Sequence, residues 1–254
     1  MQIKGNTILI TGGSSGIGRA LAEALHREGN HVIVAGRRKS LLDEVTAANP
    51  GMQSAVLDVQ DLDSLTAFAD TVAHQHPKLN VLINNAGIMK TENLNDPSAD
   101  FSIVEDMVEI NLLAPLRLTA ALLPHLKKQP HSTVMTVSSG LAFLPLALTP
   151  TYCATKAAIH SWTQSLRYQL RETKVEVLEL IPPYVQTELM GPQQNQDPRA
   201  MPLADFIAEV IEILRTQPNA TEILVKRVFP LRFAAEKGQP AYEEFFKTLN
   251  DSMH

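Results

Sequence analysis

The stretch Thr11-Gly12-Gly13-Ser14-Ser15-Gly16-Ile17-Gly18 decides how this chain folds. A short apolar run at 6–10 precedes it, and residues 19–28 follow it with apolar side chains at helical spacing. The order strand, glycine turn and helix separates a dinucleotide-binding turn from a chance cluster of glycines. Glycines allow a close approach of the backbone to a pyrophosphate, and the helix N-terminus supplies N–H groups for the phosphates. The alternative is a plain strand-to-helix turn without a ligand.

Strand-like and helix-like patterns alternate along the rest of the chain. The strand-like runs lie at 7–11, 31–35, 54–58, 79–84, 132–138, 175–181 and 222–226. The helix-like patterns fill 16–28, 39–48, 61–76, 98–126, 152–172 and 203–216. This alternation predicts an α/β fold with a doubly wound, parallel, seven-stranded sheet and helices on both faces. The almost entirely apolar run at 31–35 is typical of a strand covered on both sides.

Several residues that can carry chemistry stand where the predicted strands end. They are Gly12, Gly36, Asp58, Asn84, Ser139 and Pro182. Ligands of doubly wound sheets bind at the carboxyl ends of the strands. The coincidence of these positions at one edge of the sheet therefore predicts a single ligand site there.

Composition limits the classes of protein to consider. The chain has 254 residues, of which 44% are hydrophobic and 19% charged, which suits one globular domain over 1–254. The net charge of -5 argues against a nucleic-acid partner. The single cysteine excludes an intrachain disulfide, and no signal-peptide-like or membrane-spanning apolar run is found, so we expect a cytoplasmic protein. The eight histidines show no ligand spacing, so we expect no metal.

The pair Tyr152 and Lys156 is the most informative chemical feature. A spacing of four residues places the phenol and the ammonium on one helix face. A nearby cation favours the phenolate and lowers the pKa of a phenol. Ser139, which lies thirteen residues before Tyr152, can hold a carbonyl oxygen while Tyr152 gives or takes its proton. Taken alone, this spacing occurs often by chance, and an exposed helix pair is the alternative.

Together with Asn84-Asn85-Ala86-Gly87 and Asn111, these strings resemble the short-chain dehydrogenase/reductase family in its compact subgroup, over residues 7–187. The resemblance implies a Rossmann-type fold and four catalytic roles. Tyr152 would be the general acid in reduction and the base in oxidation, and Ser139 would bond the substrate oxygen. Lys156 would lower the pKa of Tyr152 and bind the nicotinamide ribose. Asn111 would organise a water relay from Lys156 to solvent.

The resemblance also implies a set of cofactor-binding residues. They are Gly12, Ser14, Ser15, Gly16, Ile17, Gly18, Arg37, Arg38, Asp58, Val59, Asn85, Ala86, Gly87, Tyr152, Lys156, Pro182, Val185 and Thr187. Asp58 would reach the adenine edge, and its alternative role is to cap the next turn. Thr187 would hold the nicotinamide carboxamide. Pro183 stands where the family usually has glycine, so the pocket wall near the nicotinamide is expected to differ.

The residues after the second predicted strand favour NADP over NAD. NAD-binding relatives place an acidic side chain at that strand end, whereas here Gly36-Arg37-Arg38-Lys39 follows and the first carboxylate is Asp43. Arg37 can hold the 2′-phosphate with charge-assisted hydrogen bonds, and Arg38 and Lys39 add positive potential. Many NADP-dependent relatives also have a basic residue where Ser15 stands, which is a counter-signal. The alternative is that the three cations are only solvated.

The resemblance and the motifs lead to one main functional expectation. It is an NADP-dependent oxidoreductase that interconverts a carbonyl and a secondary alcohol on a small substrate. The apolar run 141–148 lies between Ser139 and Tyr152, so the substrate is expected to be mostly apolar. A non-catalytic NADP-binding redox sensor or scaffold on the same fold is the alternative. A lyase or epimerase is a third possibility, but those usually carry a larger substrate domain.

Two further expectations concern mobility and assembly. The segment 189–202 has three prolines and no periodicity, so 189–218 is predicted to contain a substrate lid, with an ordinary surface loop as the alternative. The aromatic tail is predicted to form either the pocket rim or an interface. The long helices near 98–126 and 152–172 form interfaces in the family, which predicts a homodimer or homotetramer.

Overall fold

The parallel sheet is the frame of the molecule, and a computed structural model of the chain describes residues 1–96 and 102–252. Within these ranges the strands are β1 (Thr7–Thr11), β2 (His31–Gly36), β3 (Gln53–Val56), β4 (Leu79–Asn84), β5 (Ser132–Val137), β6 (Val175–Leu180) and β7 (Glu222–Ile223). They form one sheet in the order β3-β2-β1-β4-β5-β6-β7, and every neighbouring pair is parallel. The predicted Rossmann-type, seven-stranded sheet is confirmed. The strand order reverses between β1 and β4, where such sheets bind ligands.

The helices connect successive strands and cover both faces of the sheet. In the described residues they are α1 (Gly16–Arg27), α2 (Lys39–Ala48), α3 (Leu62–Gln75), α4 (Ser102–Val108), α5 (Ala114–Leu126), α6 (Pro150–Gln169), α7 (Leu203–Thr216), α8 (Phe229–Arg232) and α9 (Gln239–Asp251). A π-helical segment, Glu109–Leu113, joins α4 to α5. Residues 98–101 of the predicted helix 98–126 lie outside the described residues. Helix α6 begins earlier than predicted, because Pro150 suits the first turn of a helix.

Two apolar cores lie on the two faces of the sheet. Alternation along β1 sends Ile8 and Ile10 to one face and Leu9 to the other. The first core includes side chains of α1 and α7, and the second includes side chains of α3, α5 and α6. The strands are therefore covered on both sides, which explains their almost entirely apolar sequences.

The part of the chain after β6 differs most from the predicted elements. Strand β7 has two residues rather than the predicted 222–226, because a 3-10 turn begins at Lys226. Helix α9 was not predicted. Within the predicted lid at 189–218, helix α7 buries Phe206 and Val210 completely in the first core, so this half of the segment is part of the folded core.

One helical run is long and apolar enough to cross a membrane, judged by its length and composition alone. Among the described residues this is Ser102–Leu126, with 25 residues. Its side chains Met107, Leu118, Leu122 and Leu126 are buried inside the protein. The core helix of a globular domain has the same properties, so this run is not a clear membrane span.

Candidate active site

A cavity of about 980 Å³ opens at the carboxyl ends of the strands. It brings together most of the side chains that the sequence assigned to a site. Its lining includes Gly12, Ser14, Ser15, Gly16, Ile17, Gly18, Arg37, Arg38, Val59, Asn85, Ala86, Gly87, Ser139, Tyr152, Lys156, Pro182, Val185 and Thr187. Asp58, Asn84 and Asn111 are the three predicted site residues that do not line it.

The glycine turn packs against the end of β4. Gly12 has a φ of +68°, and a Cβ atom there would lie 2.9 Å from the Cα atom of Ala86. A Cβ atom on Gly18 would lie 2.4 Å from the carbonyl oxygen of Gly12. The Asn85 amide donates to the carbonyl oxygen of Thr11 at 3.0 Å. These contacts require glycine at both positions and fix the place where α1 begins.

The N-terminus of α1 faces the cavity without a side-chain cap. Its N-cap residue, Ser15, makes no capping hydrogen bond, and no acidic residue lies in the first turn. The first N–H groups of a helix and its positive end attract phosphate. The turn and the helix end therefore fit the diphosphate of a dinucleotide.

Arg38 lies beside the glycine turn. Its guanidinium donates to the hydroxyl oxygens of Ser15 at 2.8 Å and Ser14 at 3.2 Å. Arg37 instead donates to the side-chain oxygen of Gln60 at 3.1 Å. The sequence favoured Arg37 as the main phosphate ligand, whereas the structure places Arg38 closer to the glycine turn.

Asp58 takes the alternative role that the sequence left open. Its carboxylate accepts a hydrogen bond from the backbone N–H of Gln60 at 3.1 Å, which closes a turn after β3. The side chains on either side, Leu57 and Val59, line the cavity, and Asp58 does not. A contact of Asp58 with an adenine edge remains a prediction.

Tyr152 is buried on α6 and faces Ser139. Burial raises the pKa of Tyr152 to about 12, and its interaction with the Ser139 hydroxyl opposes that rise. The Ser139 hydroxyl oxygen also accepts from the N–H of Leu141 at 3.1 Å. The neighbouring Ser138 donates to Glu179 at 2.5 Å and is thus engaged elsewhere. Of the two serines, Ser139 is therefore the one that meets Tyr152.

Lys156 lies one helical turn after Tyr152. Its Nζ atom donates to the carbonyl oxygen of Val137 at 2.8 Å and lies 5.5 Å from the centre of the Tyr152 ring. Burial lowers the pKa of Lys156 to about 8, and the negative charge of Glu179 opposes that change. The sequence predicts that Lys156 lowers the pKa of Tyr152. The net shift of the Tyr152 pKa is upward, because burial of the phenol outweighs the lowering by Ser139. A lowering by Lys156 remains a prediction.

Asn111 lies in the π-helical segment, behind Gly87. Its side chain accepts from the N–H of Ile88 at 2.8 Å and donates to the carbonyl oxygen of the same residue at 2.8 Å. It also donates to the Thr155 hydroxyl at 3.3 Å. Short π-helical segments occur frequently at functional sites. The geometry gives this amide a clear structural function, and the water relay is still a proposal.

The cavity lining also contains residues that the sequence did not assign to the site individually. They are Met89, Tyr184, Met190, Leu203, Leu231 and Leu249. They come from separate elements, and their spacing carries no signal. The apolar run 141–148 was predicted to lie at the site, and it contributes Leu141 and Leu146 to the lining. Met190 and Leu203 lie within the predicted lid at 189–218. The tail is part of the rim, because Leu249 and Ser252 line the cavity. Asn250 of α9 holds it there by accepting from the N–H of Ala147 at 2.6 Å.

A second cluster of ionisable groups lies behind β5 and β6. Ligand atoms of His160, Glu179 and Glu222 lie within 4.8 Å of one another. Arg232 already holds Glu222 with hydrogen bonds of 2.7 and 3.0 Å. Ser138 and His160 hold Glu179. Because their ligand atoms are already bonded, these residues do not fit a metal ion.

Sequence comparisons find similar oxidoreductases over almost the whole chain. The short chain dehydrogenase profile matches residues 6–198. An uncharacterized oxidoreductase, DltE, of Bacillus subtilis (strain 168) is 39% identical over 253 residues, which covers 98% of each chain. An uncharacterized oxidoreductase of Staphylococcus aureus (strain N315) is 31% identical over 225 residues, covering 87% of this chain and 96% of the relative.

Solved structures share the fold. A short chain dehydrogenase from Burkholderia cenocepacia J2315 in complex with NADP has a TM-score of 0.83 at 24% identity, over 97% of this chain and 99% of that chain. A short chain dehydrogenase/reductase from Burkholderia phymatum in complex with NAD has a TM-score of 0.78 at 21% identity, over 93% and 95%. Neighbours of this fold thus include complexes with both cofactors.

Proposed function

The chain belongs to the short chain dehydrogenase family of oxidoreductases, and we propose that it is an NADP-dependent enzyme that interconverts a carbonyl and a secondary alcohol. One observation carries the proposal. Ser139, Tyr152 and Lys156 line the same cavity as the glycine turn and the N-terminus of α1. Proton transfer and dinucleotide binding can therefore occur side by side.

In the proposed reduction, bound NADPH supplies a hydride to the carbonyl carbon. The Ser139 hydroxyl donates a hydrogen bond to the carbonyl oxygen and holds it beside Tyr152. Tyr152 then transfers its proton to that oxygen, which yields the alcohol. Because burial raises its pKa to about 12, the phenol carries its proton at neutral pH. The positive charge of Lys156 stabilises the phenolate that remains, until a proton returns from solvent.

NADP is the proposed cofactor because of the groups at the end of β2. Arg38 and Arg37 both line the cavity beside Ser14 and Ser15. A guanidinium already bonded to the hydroxyls of the turn is well placed for a 2′-phosphate. The first carboxylate after β2, Asp43, pairs with Lys39 at 2.6 Å and does not line the cavity. No acidic side chain among the cavity-lining residues at this strand end therefore repels the phosphate.

The proposed substrate is small and mostly apolar. The substrate end of the cavity is formed by apolar side chains from 141–148, α9 and the segment after β6. We propose that any lid movement is confined to 189–202, since α7 is anchored in the core. Leu189, the first residue of that segment, is 40% exposed at the cavity rim, where it can reach a bound substrate.

The direct test is NADPH consumption by the purified protein with a panel of ketones, aldehydes and quinones, and NADP⁺ reduction with the matching alcohols. Tyr152→Phe serves as the control, because it keeps the aromatic ring and lacks the proton donor. Turnover that depends on Tyr152 supports the proposal. Tight NADPH binding without turnover of any compound in either direction would favour the sensor or scaffold. The comparisons do not favour that alternative.

Assembly and location complete the proposal. Four apolar side chains of the helices that form family interfaces are only partly buried: Leu112, Leu116, Leu123 and Trp162. Such side chains suit a homodimer or homotetramer. We propose a cytoplasmic enzyme, in keeping with its single, buried cysteine.

A further inference from the structure

A wholly buried carboxylate lies directly behind the proposed active site. Glu179 on β6 has no exposed surface. A buried charge is costly unless it is paired and hydrogen-bonded, so this side chain must be held by specific partners. Its oxygens accept from the Ser138 hydroxyl at 2.5 Å and from Nδ1 of His160 at 2.9 Å.

Both partners lead to the proposed catalytic residues. Ser138 immediately precedes Ser139, so a bond that fixes the first serine also orients the second. His160 lies four residues after Lys156 and eight after Tyr152, which places all three on one face of α6. Glu179 therefore touches both segments of chain that supply the proton-transfer groups.

Charged groups surround Glu179 from three elements. They are Lys156, His160 and Arg167 of α6, Glu222 of β7 and Arg232 of α8. Glu222 is neutralised by Arg232 at 2.7 Å. Arg167 donates to the carbonyl oxygens of Val177 and Thr221.

The groups that face Lys156 are fewer. They are the Tyr152 phenol on α6, the carbonyl of Val137 on β5 and Glu179 on β6. Among them, Glu179 is the acidic group that acts on the ammonium. Its negative charge raises the pKa of Lys156 and opposes the larger effect of burial.

We propose that Glu179 is a positioning residue of this active site, which fixes Ser138 beside Ser139 through a hydrogen bond and, held by His160, places its negative charge behind Lys156 on the same face of α6. The inference rests on the proposed oxidoreductase function. Glu179 touches neither the cavity nor the reacting atoms, so it acts through Ser138 and Lys156.

The main variant is Glu179→Gln, which keeps the shape and an acceptor for Ser138 but removes the charge. The pH at which kcat falls on the alkaline side is expected to move down by about one unit, since Lys156 loses its proton more easily. The KM for NADPH at pH 6.5 is expected to stay within about twofold, because most Lys156 is still charged there. A role in stability alone would not move the pH profile.

Three further variants separate charge from geometry. Ser138→Ala keeps the negative charge of Glu179 and removes the hydrogen bond to it, so kcat should fall while the alkaline limb of the kcat–pH profile stays in place. Glu222→Gln removes the adjacent carboxylate on β7 and should leave the limb in place. Glu179→Asp shortens the side chain by one methylene group and so moves the carboxylate. The alkaline limb of the kcat–pH profile is expected to shift in the same direction as in Glu179→Gln, but less. Glu179→Asp replaces Glu179→Gln should that variant not fold.

A second measurement does not depend on turnover. In protein labelled with ¹⁵N-lysine, the Lys156 side-chain resonance, assigned with Lys156→Ala, gives the titration midpoint by NMR. The midpoint should fall in Glu179→Gln or Glu179→Asp and remain in Glu222→Gln. An unchanged midpoint in the Glu179 variants, or an equal fall in Glu222→Gln, overturns the inference. Absence of any turnover by the wild type counts against the proposed function. The NMR titration of Lys156 still decides the inference about Glu179 in that case.

Discussion

The Nζ atom of Lys156 lies 5.5 Å from the centre of the Tyr152 ring, and both side chains are buried on one face of α6. Burial moves their pKa values apart, from 10.0 to about 12 for the phenol and from 10.5 to about 8 for the ammonium. At neutral pH the pair is therefore a phenol beside an ammonium. This is the protonation state that carbonyl reduction requires.

We expect Tyr152→Phe to abolish turnover and leave NADPH binding nearly unchanged. The substitution removes the proton donor and keeps the ring, and a positioned acid contributes about 10²- to 10⁴-fold to a rate. Steady-state kinetics and cofactor fluorescence measure the two effects. Tyr168→Phe is the matched control, because Tyr168 is 68% exposed and lies outside the cavity lining. Retention of more than about a tenth of the activity in Tyr152→Phe would contradict its role as the acid.

The lowered pKa of Lys156 should make the free energy of unfolding increase with pH. Its folded pKa of about 8 lies below the unfolded value of 10.5, so between these values the unfolded state binds more protons and stability rises with pH. From pH 7 to 9.5 the wild type should gain about 1–2 kcal/mol relative to Lys156→Met, which cannot titrate. Urea unfolding of both proteins at the two pH values measures the difference. A difference that is constant or of opposite sign is inconsistent with a depressed Lys156 pKa.

Arg38→Ala should weaken NADPH binding and spare NADH. Loss of a charge-assisted contact with the 2′-phosphate is expected to cost about 1.5–3 kcal/mol. Arg37→Ala should act in the same direction. Lys39→Ala removes the same charge from a side chain that pairs with Asp43 outside the cavity, so it should leave both affinities unchanged. Calorimetry gives the dissociation constants, and equal wild-type affinity for NADPH and NADH would overturn the assignment.

Asn250→Ala should raise the KM for the substrate without a change in NADPH affinity. Asn250 ties α9 to the loop after Ser139 through the N–H of Ala147 and the carbonyl of Pro145. Without these bonds Leu249 loses its fixed place at the cavity rim, and stability should fall by about 1–3 kcal/mol. Thr248→Ala, on the exposed side of the same helix, is the control. An unchanged KM shows that α9 does not shape the substrate end.

Self-association is expected at micromolar concentration, as a dimer or tetramer. The side chains of Leu116 and Trp162 are half-buried in the single chain and available to a second copy. Sedimentation velocity measures the mass of the wild type, and Trp162→Glu should shift it toward the monomer. A wild-type monomer at that concentration excludes this assembly.

The parts of the fold that depend on local pattern could be predicted from sequence. The glycine turn at Gly12 and the strand ends that carry Ser139 follow from periodicity and spacing. The parts that depend on distant contacts could not. The role of Glu179 is set by Ser138 and His160, although an acidic residue in a buried, otherwise apolar stretch of strand is a signal that sequence reasoning could have used. Helix α9 is held by contacts such as that of Asn250 with Ala147, which no local pattern shows.

The π-helical segment Glu109–Leu113 has a consequence for insertions and deletions. A π-turn holds more residues than the α-turn it replaces, so removing one residue here would restore the regular helix. Each residue of an α-helix turns the chain by about 100°, and Asn111 would swing away from both backbone groups of Ile88. The number of residues between α4 and α5, and not only their identity, is therefore under constraint. Shortened natural or engineered variants of this segment should fold and yet lose the alignment behind Gly87.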